Sequence, residues 1–492
     1  MSADVRKKGN KLPFTKYLEG ELGRIAEIVS EVERELEIKK LHKVLKSKGR
    51  DITLRTLNSQ LKTIRDEHLK EVSGEINEKK HYDMNFRRLV DIVNNKGKVQ
   101  FLVKIGDKLK LKDSVKIKGK ICYPPPIMPP NLLLPKAEEV LRYYKTDSDS
   151  KLYDDLISHH RGISELPSDK YYILLAAWDF HTYLLEKCFY SPILWLYAIP
   201  GRGKSRTGKG CIYVAYRGLH VESLREAHLF RWADYFKASL LLDIANISKK
   251  AKHENSEDIL LQRFEKGATV TRVQHPEKGA FLDMVYYDIF GATIAATNEP
   301  LDGIINSRAI QITMPESDKI FEEDLSPEKY LDLKERLTAF RARNMYKRLP
   351  TRSKPVQGRL GDIIKPLLQM IALVKPEEEK KFLELVSQIQ KERSSEEKQS
   401  TEVVVLKTIL SLENTVKNGL LPIKTITKIY NTNLDQKFAT GERRVGHITK
   451  KLGFKKHHGE KGANVVWNDS LIQKLKHRFD IRDKEIKKIS FS

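Results

Sequence analysis

Ala198-Ile199-Pro200-Gly201-Arg202-Gly203-Lys204-Ser205 directly follows the apolar run Ile193-Leu194-Trp195-Leu196-Tyr197. An apolar strand, a glycine-containing turn of this spacing and a Lys-Ser pair opening a helix make a cradle for phosphates. Backbone N–H groups wrap the anion, Lys204 supplies a point charge, and the Ser205 hydroxyl reaches a divalent cation. The helix start adds the positive end of its dipole. Pro200, Gly201, Arg202, Gly203, Lys204, Ser205 and Arg206 are therefore the candidate nucleotide-binding residues. Ala198 stands where the first glycine of the pattern is usual. A second frame, from Gly203 to Gly210, has the spacing but ends in glycine and offers no hydroxyl there.

Downstream of this loop, Ala238-Ser239-Leu240-Leu241-Leu242-Asp243 is an apolar strand ending in a carboxylate, 39 residues after Lys204. At a strand's carboxyl end Asp243 is placed to share the cation with Ser205. A further apolar run, from Ile289 to Ala296, ends in Thr297-Asn298, and an Asn there can hold an attacking water. Ile305-Asn306-Ser307-Arg308-Ala309 sets an arginine before the apolar run 310–314. Such an arginine suits a finger aimed at a neighbouring subunit's phosphate. From 193 to about 315 apolar β-like runs alternate with helical ones, which predicts a parallel α/β sheet.

In this order the motifs resemble the AAA+ ATPase family, above all the AAA+ proteins of plasmids and viruses and the minichromosome-maintenance-like replicative helicases. The resemblance spans about residues 165–375. It implies Lys204 and Ser205 as Walker A, Asp243 as Walker B, Asn298 as sensor 1 and Arg308 as arginine finger. Gly358-Arg359-Leu360, followed by a helix over 362–370, resembles sensor 2, with Arg359 reaching the γ-phosphate from a helical lid. It also implies ATP and Mg²⁺ bound between subunits of a homo-oligomer, a hexamer by default. One residue departs from the family: Walker B normally reads Asp-Glu, and here Ile244 follows Asp243. That Glu orients the water, and Ile cannot accept a proton. Three explanations are open. Hydrolysis is lost, or another carboxylate such as Glu254, Glu257 or Asp258 substitutes, or turnover is slow and needs assembly.

The remainder of the chain is basic. Across 492 residues the formal net charge is +24, with 40% hydrophobic and 32% charged residues, and the isoelectric point is near 9.5. Such a surplus favours a polyanionic partner, and DNA, RNA and an anionic membrane all qualify. Between Asp243 and Asn298, Arg263, Lys266 and Arg272 flank a Gly267 turn and a β-branched run, together with His275 and Lys278. They are expected to face a phosphate backbone in a central pore. Residues 401–475 predict a winged helix: helices near 403–412, 423–430 and 440–453, then a hairpin turning at 459–462. Arg443, Arg444, His447, Lys450, Lys451, Lys455 and Lys456 are its expected DNA contacts. From 401 to 492 there are 19 Lys and Arg against 9 Asp and Glu.

Length predicts several domains. The expected divisions are an N-terminal helical and small-sheet region (1–130), an AAA+ core (131–317), a helical lid (318–390) and a winged-helix domain (401–492). Within the first, one helix is expected over 15–48 and an antiparallel, Lys-faced sheet over 99–121. A polyproline strap is expected at 123–130 and a charged linker at 391–400. Three scattered cysteines give no zinc spacing and fit a reducing compartment. The start lacks an apolar leader, and no apolar run approaches ~18 residues, so neither export nor a membrane span is expected. A cytoplasmic or nucleoid-associated location follows. The functional expectation is a DNA-dependent ring helicase or translocase in replication of a mobile element. The alternative is a nucleotide-gated DNA-binding initiator or loader.

Overall fold

The computed structural model describes residues 14–26, 31–50, 52–72, 80–129, 131–254, 256–274, 276–279, 281–301, 303–398, 400–432, 439–459, 462–479 and 481. His275 lies outside them.

The chain forms two compact units. The first comprises residues up to Tyr82 together with 118–123. In it the helices Phe14–Ala26, Glu31–Ser47 and Leu54–Val72 pack around Leu22, Ile25, Leu45 and Leu57. The single helix expected over 15–48 is described as two, and Leu36 is exposed. His81–Tyr82 pairs in parallel with Cys122 and Tyr123.

The second unit holds everything else, including residues 83–117. That divides the region expected as one domain over 1–130, and the reason is burial. Leu89, Val90, Asp91, Ile92 and Val93 are consecutively buried, which needs cover on both faces of their strand. Leu89–Asn95, Lys98–Ile105 and Lys108–Lys112 form an antiparallel sheet. Val90, Val93 and Leu102 pack against Ala137, Val140, Ala339 and Ala342, while Leu89, Ile92, Phe101 and Val103 form a second cluster. Its lysines are not all on a solvated face: Lys104 is buried and donates to the Ala342 carbonyl at 2.6 Å. A buried ion pair, Asp91 with Arg217 at 2.8 Å, pins this sheet to the core. Pro124 to Pro129 adds no strand or helix, and Met128 packs on the core as a strap.

The central sheet has five parallel strands in the order Ala309–Thr313, Ile193–Tyr197, Thr293–Thr297, Leu240–Asp243, Leu219–Val221. The three inner strands are almost unbroken apolar runs, as a sheet covered on both faces requires. From Tyr197 the chain crosses by the helix Lys204–Val214 to the far edge, then returns strand by strand. Connections on either side of Ile193–Tyr197 thus diverge, opening a crevice at the carboxyl ends.

Glycines let the crossover pack closely. A Cβ on Gly208 would lie 2.6 Å from Leu241, and one on Gly218 would lie 1.9 Å from the Ile212 carbonyl oxygen. The second contact is with backbone, so Gly218→Ala is expected to cost about 3 kcal/mol of stability in thermal unfolding. A melting temperature within 1 °C of the parent would contradict it.

Helices Leu331–Asn344, Gly358–Val374 and Glu379–Lys398 follow the sheet. The linker expected at 391–400 is instead mainly the end of the last of these. Its Lys, Glu and Arg residues are good helix formers, and Arg393 donates to the Ala309 carbonyl. Beyond it, Thr401–Ser411, Ile423–Thr432 and Glu442–Lys451 pack around Leu406, Ile409, Ile426, Val445 and Val465. A sheet of Leu420–Pro422, Gly462–Val466 and Lys456–Gly459 completes the cluster, with Gly459 opposite Gly462. Gly453 ends the third helix with φ 96°, the left-handed conformation that suits glycine. Among the described residues no helix is long and apolar enough to cross a membrane.

Candidate nucleotide site

The loop at 198–203 leaves the carboxyl end of Ile193–Tyr197 and turns through Gly201 (φ 86°) and Gly203 (φ 75°). Gly203 caps the helix Lys204–Val214. Nothing crowds a Cβ at either glycine, so the requirement is backbone freedom. Lys204 Nζ folds back over the loop and donates to the Ile199 carbonyl at 2.8 Å. Burial lowers its pKa, against the opposing charge of Asp243. Arg202 bridges to Glu316 at 2.9 Å. Arg206 Nε donates to the Ile163 carbonyl, and its guanidinium lies over Phe321. With that side chain so engaged, Arg206 offers the loop its backbone N–H. Pro200 is exposed at the tip.

Ser205 Oγ donates to Asp243 Oδ1 at 2.9 Å. Burial pushes the Asp243 carboxyl upward. The nearby His220 imidazole, the hydrogen bond from Ser205 and the charge of Lys209 outweigh it and hold the group below its usual range. A hydroxyl and an ionised carboxylate in contact beside a phosphate loop are the hard oxygen donors that Mg²⁺ takes, so these residues fit that ion. Asn298 follows Thr297, which pairs with Tyr197, while Ala296 pairs with Asp243. The sheet register thus brings Lys204, Ser205, Asp243 and Asn298 to one edge. The Asn298 backbone N–H donates to the Ala245 carbonyl at 3.0 Å.

Ile244 extends the sheet, donating from its N–H to the Ala296 carbonyl at 3.0 Å, and its side chain is in the core. Of the expected substitutes, Glu254 is exposed beside His253; the side chains of Glu257 and Asp258 lie outside the described ones. Two neighbours were not anticipated. Glu299 accepts from the Ser248 N–H at 2.8 Å, and its carbonyl accepts from Trp195 Nε1. His220 faces Asp243 from the edge strand. A carboxylate directly after Asn298 was the available clue to the first; a His inside a short apolar run, to the second.

The two arginines stand elsewhere. The Arg308 carbonyl accepts from the Ile193 N–H, and the Phe264 carbonyl from the Ser191 N–H, so both residues border the amino end of Ile193–Tyr197. A strand of that length spans about 17 Å. Arg308 and Arg359 lie over the same Phe264 ring, at 5.1 and 5.2 Å. The structure sets Arg359 beside Arg308. Spacing put it on the lid helix without saying which end of the sheet that helix start covers. Arg308 Nε and Nη1 are buried with no acceptor among the described residues. Burial, then the neighbouring Arg359 charge, lowers the Arg308 pKa.

Among the expected DNA contacts, Arg263 is a clear correction. It is 1% exposed and donates to the carbonyls of Ala238, Ile289 and Ala292 and to Thr293 Oγ1. Burial pushes its pKa down to about 10. Lys266 donates to the Glu186 carbonyl, and Arg272 pairs with Glu226. Thr269–Val273 and Met284–Asp288 form a hairpin bearing exposed Val273, Phe281, Leu282 and Tyr286. On Glu442–Lys451, Arg443, Arg444, His447 and Lys450 are exposed, as are Lys455 and Lys456 beyond it. Lys451 bridges to Glu402 at 2.6 Å.

Fold and site together define an α/β protein with a five-stranded parallel sheet and a phosphate-loop type of strand–turn–helix. No protein family and no curated protein matches the chain. Among solved structures it is similar to the apo A form of the C-terminal region of NrS-1, at 10% identity and TM-score 0.34, covering 77% of this chain and 96% of that one. It is also similar to the SCCmec type IV Cch active helicase, at 12% identity and TM-score 0.29, covering 92% of this chain and 82% of that one. Likeness at that level defines no function.

Proposed function

We propose that this chain is a DNA-dependent AAA+ ATPase, a ring helicase or translocase in replication of a mobile element. The observation that carries the reading is the Ser205–Asp243 contact at 2.9 Å against the phosphate loop. ATP phosphates lie on the loop N–H groups of Gly201 to Ser205, with Lys204 turned from the Ile199 carbonyl onto them. Ser205 and Asp243 would hold the divalent cation, which when bound would draw charge from the phosphates. Asn298 positions the water. Arg308 and Arg359 stand about a strand length away, so they complete a neighbouring subunit's site, which is the support for a homo-oligomer. The basic C-terminal cluster serves as a winged helix, with Glu442–Lys451 in the groove and Lys455 and Lys456 on the backbone.

Steady-state ATP hydrolysis with and without single- and double-stranded DNA tests this, with Lys204→Ala as the blank. DNA-stimulated turnover lost in Lys204→Ala is the expected result. ATP bound without turnover would favour the second reading, a nucleotide-gated initiator or loader, for which the buried Ile244 speaks. Replacing Lys455 and Lys456 with Ala is expected to flatten the slope of log affinity against log salt by about 2, as two lost phosphate contacts require. An unchanged slope would move the backbone contact off these two lysines.

A further inference from the structure

His220 lies in the middle of the edge strand Leu219–Val221, opposite Leu241. Side chains alternate along a strand, so Leu241 and Asp243 share one face, and His220 projects on that face with Asp243 on its diagonal. The His220 ring is nine-tenths buried, and Nε2 lies 3.6 Å from Asp243 Oδ2. Nε2 is shielded from solvent and has no hydrogen-bond partner among the described residues. Its other ring nitrogen faces the exposed carboxylate of Glu222 at 4.0 Å. Asp243 Oδ1 is already taken by Ser205, which leaves Oδ2 toward the imidazole.

An unpaired buried nitrogen is costly, and a separation of 3.6 Å is too long for a hydrogen bond. It is close to the span of two ligands on one cation, since bonds of about 2.1 Å set neighbouring donors about 3 to 3.5 Å apart. We propose that His220 Nε2 is a direct protein ligand, with Ser205 Oγ and Asp243 Oδ2, of the cation that accompanies the nucleotide, and that the site therefore selects a manganese-class ion over Mg²⁺. Mg²⁺ demands oxygen donors in near-ideal octahedral geometry, whereas imidazole suits the first-row transition ions. The inference rests on the nucleotide reading above and deepens it. The cation it names is one with a nitrogen in its shell.

The probe is Mn²⁺ with ATP, bound to the full chain and examined by pulsed electron paramagnetic resonance. Directly coordinated histidine nitrogen gives a coupling that changes isotope when the protein carries ¹⁵N-histidine, which separates it from adenine nitrogen. That coupling is expected in the parent and absent in His220→Leu, with the preference for Mn²⁺ over Mg²⁺ falling about tenfold. His220→Asn serves if the Leu variant does not fold. Mn²⁺·ATP bound in a Lys204-dependent manner with no histidine coupling overturns the His220 ligand and leaves the nucleotide reading standing. Binding that is absent, or indifferent to Lys204→Ala, overturns both.

Discussion

Replacing Arg263 with Met is expected to remove about 4 kcal/mol of stability and roughly 10 °C of melting temperature. The guanidinium is fully buried and fills four acceptors: the carbonyls of Ala238, Ile289 and Ala292, and the Thr293 hydroxyl. Met keeps the stem's volume but offers no donor. Each abandoned buried carbonyl then bears its own desolvation cost of about 1 to 3 kcal/mol. The site is tight as well: a Cβ on Gly291 would lie 2.2 Å from Arg263 Nη2, so the backbone cannot readily collapse onto the vacancy. If Arg263 were a DNA contact, the same variant would weaken DNA binding and leave the melting curve in place. Thermal unfolding followed by circular dichroism decides between the two.

Arg308→Ala and Arg359→Ala are each expected to lower turnover by at least ~10³-fold while leaving ATP affinity near the parent's, the range known for arginine fingers. The expectation comes from the shared Phe264 platform. Two like charges stand side by side there, and two Arg308 donors have no acceptor among the described residues. An anion supplied from outside the chain would relieve both conditions. Mixing either variant with Lys204→Ala gives the sharper result. Each partner then supplies what the other lacks, and part of the activity returns at mixed interfaces. No recovery on mixing, with both proteins folded and assembled, would sink the shared-site account.

The strand–turn–helix around Lys204 was legible because its parts are contiguous: a strand, two left-handed glycines, a lysine and a hydroxyl in fixed order. Asp243 and Asn298 were legible as polar ends of apolar strands, and sheet register then made them neighbours. What was not legible depends on contacts distant in sequence. Arg263 has the composition of a surface residue, and only the carbonyls around it show that it is a strut. His220 gains meaning from a strand 20 residues later. Alternation shows a Lys-faced sheet over 99–121, and not the strand at 89–93 that joins it with both faces covered. The charged stretch at 391–400 has the composition of a linker and equally that of a helix, and packing against Ala309 settles it as helix.

Arg263 also fixes how motion can pass through this region. It precedes Phe264, and five residues later the hairpin Thr269–Val273 begins. Between them Glu265 bridges to Tyr190, and the Lys266 N–H donates to the Phe189 carbonyl. The hairpin is therefore a stiff lever whose fulcrum is bolted to the sheet. A load on its exposed tip finds little slack to absorb it before the ring that carries both arginines.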